Sequence, residues 1–353
     1  MQESRPALDG ADRALVHALQ VDARASWSRL ATVLGADEVT LARRWARLNE
    51  RGAAWINGHP GMALSTQGCL SFVEVVCANG QVVEVAERLQ RHPMVVTVEH
   101  LTGDRDLLLT LMTPDVASLS QWLTQVAGLT PGITSVRTHL ADSVYTEGSR
   151  WRTHALSAAQ VAQLQRGTPT GERPSVPVLD EVDRRITALL SVDGRASYRD
   201  LAHRSGVSAD TVRRRTKRLL DSGAVQLRCE ISRLLSDRPT TVILWARTPV
   251  ERLESTARHI AGMGDIRLCA GVTGRDNLLV AGWIRSVNDL QRLESRILER
   301  APHVVINERA VTLRTMKLSG QVLAADGLRQ YAVPIDPWLS LDSADDDRAP
   351  APQ

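Results

Sequence analysis

Arginine side chains crowd one short stretch of this 353-residue chain, and they are its most suggestive chemistry. The window Asp193–Ser222 holds eight basic and four acidic residues, a local charge of +4, whereas the whole chain carries only +3. Guanidinium groups that reach a nucleic-acid backbone gain affinity by releasing counterions from phosphates. Arginine can also donate two hydrogen bonds to the O6 and N7 atoms of guanine, which discriminates between bases by roughly 1–3 kcal/mol. The charge and residue types of this window therefore favour DNA binding.

Two helices joined by a tight turn would have to present these arginines. Ser197 stands three residues before Asp200, the capping-box spacing that begins a helix. Gly206 suits the turn that ends this helix, and Ser208 suits the N-cap of the next one. The second helix keeps one apolar face and sets its arginines on the other. The pattern therefore predicts a helix-turn-helix whose second helix enters the major groove.

The whole arrangement occurs twice along the chain. A shift of 171 residues superposes the two halves almost without gaps, and identical residue types meet at many positions. The matching pairs include Asp22 with Asp193, Arg24 with Arg195, Gly35 with Gly206, Arg43 with Arg214, Gly103 with Gly274 and Pro131 with Pro302. Chance does not keep register over so many residue types. The chain is therefore predicted to hold two copies of one two-domain unit, here named copy one and copy two.

Each copy contributes candidate DNA contacts from its predicted recognition helix. Those of copy two are Ser208, Asp210, Thr211, Arg213, Arg214, Arg215, Lys217 and Arg218, and those of copy one are Thr40, Arg43, Arg44 and Arg47. Residues at the leading end of such a helix reach base edges, whereas later ones meet phosphate. For Arg44 and Arg215 a structural role is an equally good interpretation, in which the arginines pair with aspartates such as Asp180 and hold the helices together.

Copy one departs from this pattern in ways that weaken it as a DNA reader. Its equivalent window, Asp22–Arg51, has six basic and four acidic residues, a local charge of only +2. Its recognition helix begins with Asp37 and Glu38, two carboxylates that suit the helix dipole but repel phosphate. We therefore predict that Arg43→Ala weakens DNA binding less than Arg214→Ala does.

The second part of each copy predicts the order strand–helix–strand–strand–helix–strand. The predicted strands are Leu70–Cys77, Val95–Leu101, Leu107–Leu111 and Ile133–Leu140 in copy one, and Thr241–Arg247, Ile266–Gly271, Asn277–Gly282 and Val304–Thr312 in copy two. This order is the ferredoxin-like arrangement, with helices on one face of an antiparallel sheet. The predicted fold class is α+β, with two winged helix-turn-helix domains each followed by a ferredoxin-like βαββαβ domain.

These patterns divide the chain into six predicted segments. Residues 8–60 and 179–233 form the winged helix-turn-helix domains, 68–145 and 238–318 the βαββαβ domains, 146–178 a linker with a short helix, and 319–353 a tail. The linker helix would begin at Ser157, ahead of a run rich in proline and glycine. The tail is rich in proline and aspartate towards its end, and we predict that it is largely disordered.

Other kinds of chemistry find little support. The four cysteines form no CxxC pair, and the nine histidines show no metal-binding spacing. Neither GxGxxG nor GxxxxGK[ST] occurs, which removes the familiar nucleotide-binding motifs. We therefore expect no catalytic residue, no metal and no cofactor, and hence not an enzyme. Without an apolar leader or a membrane-length apolar run, the sequence predicts a soluble, cytoplasmic protein.

The segment LDEVDRRITALLSVDGRASYRDLAHRSGVSADTVRRRTKRLLDSGAV, followed by a βαββαβ domain carrying VTGRDNLL, resembles the Lrp/AsnC (leucine-responsive regulatory protein) family. The resemblance is to the tandem, actinobacterial form of that family and covers nearly the whole chain apart from the linker and tail. It implies a transcriptional regulator. It also implies that the second domain of each copy, of the RAM or ACT-like type, binds an amino acid or a related small metabolite and mediates dimerisation.

The resemblance places the effector near the turn between the second and third strands of each βαββαβ domain. The implied effector residues are Thr102, Gly103, Asp104 and Asp106 in copy one, and Thr273, Gly274, Asp276 and Asn277 in copy two. Glycine lets backbone N–H groups approach a ligand carboxylate, and a nearby aspartate can hold a ligand ammonium. Asn277 replaces the family's carboxylate, so the second site would prefer another ligand or none. An ordinary glycine hairpin explains either turn equally well.

The expected partners follow from this interpretation. Paired recognition helices would require a pseudo-palindromic operator in double-stranded DNA, and exposed sheet edges would favour a homodimer or a larger even oligomer. Two alternatives stay open. One is a metabolite-sensing protein that regulates a protein partner, and the other is a weakly specific, nucleoid-architectural DNA-binding protein.

Overall fold

The computed structural model describes residues 8–61, 68–148, 151–166 and 177–341. Each copy opens with three helices, as predicted. In copy one these are α1 (Gly10–Val21), α2 (Trp27–Leu34) and α3 (Glu38–Glu50), and in copy two α7 (Glu181–Val192), α8 (Tyr198–Ser205) and α9 (Ala209–Asp221). The helix-turn-helix of each copy is therefore formed by α2 and α3 or by α8 and α9.

Local sequence signals set the ends of these helices. The side chains of Ser26, Ser197 and Ser208 each accept a hydrogen bond from the backbone N–H three residues ahead, which fixes the N-termini of α2, α8 and α9. The turns that follow α2 and α8 place Gly35 and Gly206 at φ values of +64° and +76°. Because residues other than glycine rarely adopt that backbone conformation, glycine is required at both turns.

Both βαββαβ domains have the predicted order of elements. Copy one contributes β2 (Cys69–Cys77), α4 (Val82–Leu89), β3 (Val95–Leu101), β4 (Leu107–Thr113), α5 (Val116–Trp122) and β5 (Ile133–Thr146). Copy two contributes β7 (Thr240–Arg247), α10 (Leu253–Ala261), β8 (Ile266–Val272), β9 (Leu278–Ile284), α11 (Leu290–Arg300) and β10 (Val305–Leu318). The predicted α+β fold class is confirmed.

The two sheets join edge to edge into one closed barrel. Beyond its pairing with β2, strand β5 runs on to pair with β8, from Ala141 opposite Val272 to Thr146 opposite Cys269. Strand β10 pairs with β7 and then continues along β3. Eight antiparallel strands therefore follow one another around a ring in the order β10–β3–β4–β2–β5–β8–β9–β7 and back to β10. Both final strands are longer than predicted, because their second halves serve the other copy.

Closure of the barrel gives each sheet a second buried face. The helices cover the outer face of each sheet with separate apolar cores. The inner faces meet around Phe72, Leu108, Trp245 and Leu279, all nearly inaccessible to solvent. A homodimer was expected partly because open sheet edges need cover, yet the edges of both sheets pair within one chain. That reason for a homodimer therefore falls away, and the oligomeric state stays a prediction.

The strand after each helix-turn-helix does not fold back on its own domain as a separate wing. Instead β1 (Ala54–Pro60) pairs antiparallel with β6 (Val225–Ile231), from Ala54 opposite Ile231 to Pro60 opposite Val225. The helix-turn-helix domains of the two copies are therefore joined by a shared two-stranded ribbon.

The linker and the tail both lie against the folded copies. Helix α6 (Ala158–Gln165) has the predicted Ser157 cap, and its Leu164 is buried in the core of the first helix-turn-helix. After β10 the chain forms β11 (Gln321–Leu323) and β12 (Arg329–Ala332), and Ile335 is fully buried. The prediction of a largely disordered tail over residues 319–353 is therefore wrong for residues 319–341, because apolar side chains there pack on the cores. Residues 342–353 lie outside the described part of the chain.

Within the described ranges, no helix is long and apolar enough to cross a membrane. The same residues contain no group of three or more histidine, cysteine, aspartate or glutamate side chains placed to hold a metal ion.

Candidate DNA-binding surface and effector turns

The two recognition helices α3 and α9 each bury one face and expose the other. Leu41, Trp45 and Leu48 enter the core of copy one, and Trp45 is the core residue that its apolar ring favours. Val212 and Leu219 do the same in copy two. The opposite face of each helix carries the predicted DNA contacts, so the arginines lie where a groove could approach them.

In each copy an aspartate at the start of the first helix binds two of these arginines, which makes four arginines in the chain. In copy one Asp12 accepts hydrogen bonds from Arg44 at 2.9 Å and from Arg47 at 3.0 Å. In copy two the buried Asp183 accepts from Arg215 at 3.0 Å and from Arg218 at 2.5 Å. Such charge-assisted bonds tie the recognition helix to the first helix.

Arg215 is the most strongly held member of this group. It also bonds Asp180, with a shortest distance of 2.6 Å, and this hydrogen bond lowers the pKa of the Asp180 carboxyl to about 2. Arg44 has the same arrangement with Asp9 at 2.8 Å. The guanidinium groups of Arg44 and Arg215 therefore lie where the structural alternative predicted them, paired with aspartates of the first helix. Arg47 and Arg218 share that role while about half of each side chain stays exposed.

The remaining cations of the recognition helices are free to meet DNA. Arg43 and Arg214 are exposed and enter no ion pair among the residues that the structure describes. Arg213 and Lys217 form pairs with Asp210 and Asp221 within α9, and they are 68% and 71% exposed. Because exposed pairs of this kind contribute little, phosphate can replace these carboxylates at small cost.

The leading ends of the two recognition helices differ. In copy two Ser208 donates to the Thr211 hydroxyl at 3.0 Å, and both residues are neutral. In copy one Asp37 accepts from the N–H of Thr40 at 2.9 Å, and this bond lowers the pKa of the Asp37 carboxyl. An ionised carboxylate thus caps the leading end of α3, where it would repel a phosphate, whereas the first-turn carboxylate of α9, Asp210, pairs with Arg213.

A reciprocal pair of arginines clamps the two helix-turn-helix domains together. Arg24 donates to the carbonyl oxygens of Gly194 and Ala196 at 2.6 and 2.9 Å. Arg195, its equivalent in copy two, donates to the carbonyls of Ala23 and Ala25 at 2.8 and 3.1 Å. These contacts relate the two copies by an approximate twofold operation and fix the two recognition helices relative to each other.

Stacking reinforces that clamp. The Arg24 guanidinium lies 4.9 Å from the ring centroid of Tyr198, and the Arg195 guanidinium lies 4.6 Å from that of Trp27. Both distances are within the range of cation–π attraction. Sequence reasoning did not assign this role to Arg24 and Arg195. The signal was available, because both arginines and both aromatic residues stand 171 positions apart.

The predicted effector turns are the hairpins between β3 and β4 and between β8 and β9. Gly103 and Gly274 have φ values of +101° and +123°, so glycine is needed at both. The Thr102 hydroxyl accepts from the N–H of Val311, and the Thr273 hydroxyl accepts from the N–H of Leu140. Each turn therefore lies against the final strand of the other copy.

The polar side chains proposed to hold an effector already have partners within the fold. Asp106 accepts from the N–H of Cys77 at 2.7 Å. Asn277 accepts from the N–H of Thr248 at 3.0 Å and donates to the Thr248 carbonyl at 2.8 Å. One carboxylate oxygen of Asp106 is free of that bond, whereas both polar atoms of the Asn277 amide are engaged. The two turns are therefore unequal as ammonium sites.

The two turns also differ in the residue that precedes the predicted ammonium ligand. Arg105 is buried between Glu74, at 3.1 Å from its Nε, and Glu308, at 2.6 Å from its Nη2, with Trp245 stacked beneath it. Its equivalent in copy two is Asp276, which accepts a hydrogen bond from Asn307 at 2.5 Å. Asp276 thus faces its own copy's last strand, and Asp104 is exposed.

Sequence reasoning missed a further group of charged residues. Arg228, Arg233 and Arg267 line a cavity inside the barrel, here named the barrel cavity. No motif marks them, because they come from β6, the turn after it and β8. Arg267 stands between Ile266 and Leu268, and an arginine in an apolar strand was the one available hint.

Comparison with known proteins agrees with this architecture. The model of the AsnC-type helix-turn-helix domain matches residues 8–49 and 179–220. The model of the Lrp/AsnC ligand binding domain matches residues 70–151. The matched ranges include both recognition helices and the first of the two effector turns.

Individual relatives show the same relation. An uncharacterized HTH-type transcriptional regulator of Pyrococcus furiosus is 28% identical over 121 residues, which cover 34% of this chain and 82% of that protein. The HTH-type transcriptional regulator FL11 of the same organism is 28% identical over 148 residues, which cover 40% of this chain and 95% of that protein. Both relatives are the length of about one copy.

A solved structure matches the whole duplicated architecture. The siroheme decarboxylase NirDL superposes with a TM-score of 0.56 over 88% of this chain and 93% of that chain. At 15% sequence identity this likeness shows a shared fold alone. The family models, the named relatives and the duplicated helix-turn-helix lead to one conclusion: the chain belongs to the Lrp/AsnC family of transcriptional regulators.

Proposed function

We propose that this chain is a sequence-specific DNA-binding regulator whose two recognition helices read one pseudo-palindromic site. The observation that carries the proposal is the reciprocal Arg24–Arg195 clamp together with the β1–β6 ribbon. These contacts hold two helix-turn-helix domains in a fixed relation within a single chain. A dimer of single-copy chains reads two half-sites through its twofold symmetry, and a fused pair can do the same without assembly.

In this proposal copy two supplies most of the contacts. Its helix α9 exposes Arg213, Arg214, Lys217 and Arg218 on one face. At the leading end Ser208, Asp210, Thr211 and Arg214 reach base edges, and the cations further along meet phosphates. Copy one supplies Thr40 and Arg43, with Arg47 as a weaker phosphate contact. The two half-sites would therefore differ in how strictly their bases are specified.

The proposed effector is an amino acid or a related small metabolite bound at the turn of copy one. Gly103 leaves room for a ligand carboxylate at the backbone, and the free oxygen of Asp106 can accept from a ligand ammonium. The turn also touches the last strand of copy two through Thr102. A ligand there would change contacts between the copies, which are coupled to both helix-turn-helix domains.

The test is a titration of the purified chain against DNA taken from upstream of its own gene. If Arg213, Lys217 and Arg218 each meet one phosphate, the plot of log affinity against log salt falls with a slope of about −3, and phosphate contacts from copy one make it steeper. We expect binding to survive a large excess of random DNA. Equal affinity for random DNA would instead support the nucleoid-architectural alternative, and no DNA binding would support regulation of a protein partner.

The effector is tested separately by thermal denaturation with the common amino acids. A ligand that binds only the folded chain raises its melting temperature. A rise with one amino acid that disappears in Asp106→Ala, but not in Asn277→Ala, is the expected result. No rise with any of them would contradict the choice of amino acids as the effector class.

A further inference from the structure

The barrel cavity lies where the inner faces of the two copies meet, and none of the predicted effector residues lines it. Its volume is about 130 Å³. One part of its wall is apolar and comes from both copies, namely Leu70, Phe72 and Met112 of copy one and Leu268 and Ala281 of copy two. An apolar protein cavity of roughly 150 Å³ is large enough to admit benzene. The barrel cavity can therefore hold a ring or a branched aliphatic group.

The other part of its wall is cationic. Arg228 pairs with Glu147, and Arg267 pairs with Glu230 through bonds of 2.8 and 3.3 Å. Arg233 lies beside them at 7% exposure, yet it forms no ion pair within the described ranges. Arg228 and Arg267 therefore each have a carboxylate partner at the cavity, whereas Arg233 has none among the described residues.

Arg233 is also without hydrogen-bond acceptors. None of its Nε, Nη1 and Nη2 atoms has a partner among the described residues, although all three are shielded from solvent. Burial lowers the pKa of Arg233 to about 9, so the guanidinium is still charged at neutral pH. Leaving a buried charge without acceptors costs several kcal/mol in general, and native proteins keep such groups chiefly at functional sites.

Aromatic rings hold this guanidinium rigidly in place. It stacks 3.4 Å from the ring centroid of Trp283, and Arg267 lies 4.1 Å from the same ring. Trp151 lies 4.9 Å from Arg233 and contacts Trp283 edge-on. Stacking leaves the in-plane N–H donors of Arg233 unused, because cation–π attraction acts through the face of the guanidinium.

Glu99 and His59 are the other ionisable side chains that line the cavity. Burial raises the pKa of Glu99, which favours its neutral form. Burial likewise lowers the pKa of His59 to about 4, so its imidazole is neutral at pH 7. Arg233 is therefore the cation of this cavity that lacks a carboxylate partner among the described residues.

We propose that the barrel cavity is a binding site for a small organic monocarboxylate with an aromatic or branched aliphatic body, whose carboxylate is taken up by Arg233. One guanidinium with unused donors matches one carboxylate, which it can bind through two parallel hydrogen bonds. The apolar wall matches the body of the ligand and sets its size to about that of one ring. This site is separate from the two effector turns, and its occupancy does not depend on DNA binding.

The experiment compares phenylacetate with phenylacetamide, which has the same shape but no charge. Trp151 and Trp283 at the cavity give a fluorescence signal for binding, and calorimetry measures the affinity independently of fluorescence. We expect phenylacetate to bind the full chain at least tenfold more tightly than phenylacetamide. Arg233→Met should abolish this preference, because methionine keeps much of the apolar volume without the charge. Arg258→Met, at an exposed surface position, should keep it.

A second variant guards against a change of fold in the first. Ala281→Leu fills the apolar part of the cavity and keeps the arginine at position 233, so it should reduce phenylacetate affinity more than tenfold. Equal binding of the two compounds to the unaltered chain, or unchanged preference in a folded Arg233→Met variant, would overturn the proposal. Absence of binding by either compound would overturn it as well. None of these results bears on the regulator assignment, because no DNA is present.

Discussion

Copy one and copy two have the same fold, but equivalent residues, 171 positions apart, differ in charge on the surfaces predicted to contact DNA or an effector. Ala42 and Ala46 of α3 correspond to Arg213 and Lys217 of α9. Arg105 beside the first effector turn corresponds to Asp276 beside the second. The aspartates that bind arginines of the recognition helices, Asp12 and Asp183, are the same in both copies.

This contrast teaches what fusion of the copies permits. In a symmetric homodimer every substitution occurs twice, so both recognition helices must change together. In this chain the contacts that hold the helices together are duplicated, while the residues that we propose to contact DNA or a ligand differ. Copy two has more exposed cations on its recognition helix, and copy one has the carboxylate of Asp106 where copy two has the amide of Asn277. The predictions below test, in order of decreasing effect, where the two copies differ and where they agree.

The largest expected effect concerns Lys317, whose equivalent in copy one is Thr146. Lys317 is fully buried, with its Nζ 3.2 Å from the His92 carbonyl, and burial lowers its pKa from 10.5 to about 7. Because the unfolded chain binds this proton more tightly, the free energy of unfolding falls as pH falls from about 10.5 to about 7. Burial of Lys317 therefore causes no loss of stability above that window, and the loss stays at its full value below the window.

Lys317→Met should therefore stabilise the chain near neutral pH, by an amount on the order of 3 kcal/mol. Urea denaturation at several pH values measures it. The gain should shrink as pH rises towards 10, because the wild-type lysine is then neutral in both states. The neighbouring His92, whose pKa burial lowers to about 4, titrates well below this window. A gain that does not depend on pH between 7 and 10 would contradict this explanation.

The next prediction tests a point where the copies agree. Asp183→Asn and Asp12→Asn each remove the negative charge that holds two arginines to the first helix. Hydrogen bonds to charged groups contribute roughly 1.5–3 kcal/mol, so each substitution should lower the free energy of unfolding by about 2 kcal/mol. Denaturation of the two variants side by side is the measurement. If one variant loses stability and the other does not, the aspartate–arginine contacts do not stabilise both copies.

A smaller effect is expected at the effector turns. Asp106→Asn gives copy one the amide that copy two has, and Asn277→Asp does the reverse. If the Asp106 carboxylate holds a ligand ammonium, Asp106→Asn should weaken binding of a stabilising amino acid about tenfold, the effect of one charge-assisted bond. Asn277→Asp should leave the first site unchanged. Thermal shift against ligand concentration measures both, and equal affinity in the wild type and Asp106→Asn would contradict the assignment.

The smallest predicted change is in salt dependence. Lys217→Ala removes one exposed cation from α9, and Ala46→Lys adds one at the equivalent place on α3. The slope of log affinity against log salt should become shallower by about 1 in the first variant and steeper by about 1 in the second. Fluorescence anisotropy at four salt concentrations measures both slopes. Unchanged slopes would mean that this face of the two helices does not meet phosphate.

The helices, the strands and the duplication could be predicted because their signals are local or repeated. Serine caps, the glycines at the two turns and the 171-residue register each depend on residues close together or on self-comparison. The strand order within each copy followed from the ferredoxin-like pattern. The two glycine hairpins were located in the same way, whereas their role as effector turns is implied by the resemblance to the Lrp/AsnC family.

Closure of the barrel could not be predicted, because it depends on which edge of one copy meets which edge of the other. One hint was present in β9, Leu278–Ile284, where every residue is buried. A continuous apolar strand indicates cover on both faces, whereas a one-sided sheet alternates. The roles of Arg215 and Arg233 depend likewise on three-dimensional proximity. Asp183 lies 32 residues from Arg215, and the ring that stacks on Arg233 lies 50 residues away.

The most direct test of the account is the affinity of Arg214→Ala and Arg43→Ala for the upstream DNA at one fixed salt concentration. Both arginines are exposed and occupy equivalent positions, so each substitution controls for the other. Arg214→Ala should cost roughly 1–3 kcal/mol of binding free energy and relax specificity at one base pair. Arg43→Ala should cost measurably less. A larger loss from Arg43→Ala, or no loss from either, would contradict the claim that copy two leads recognition of DNA.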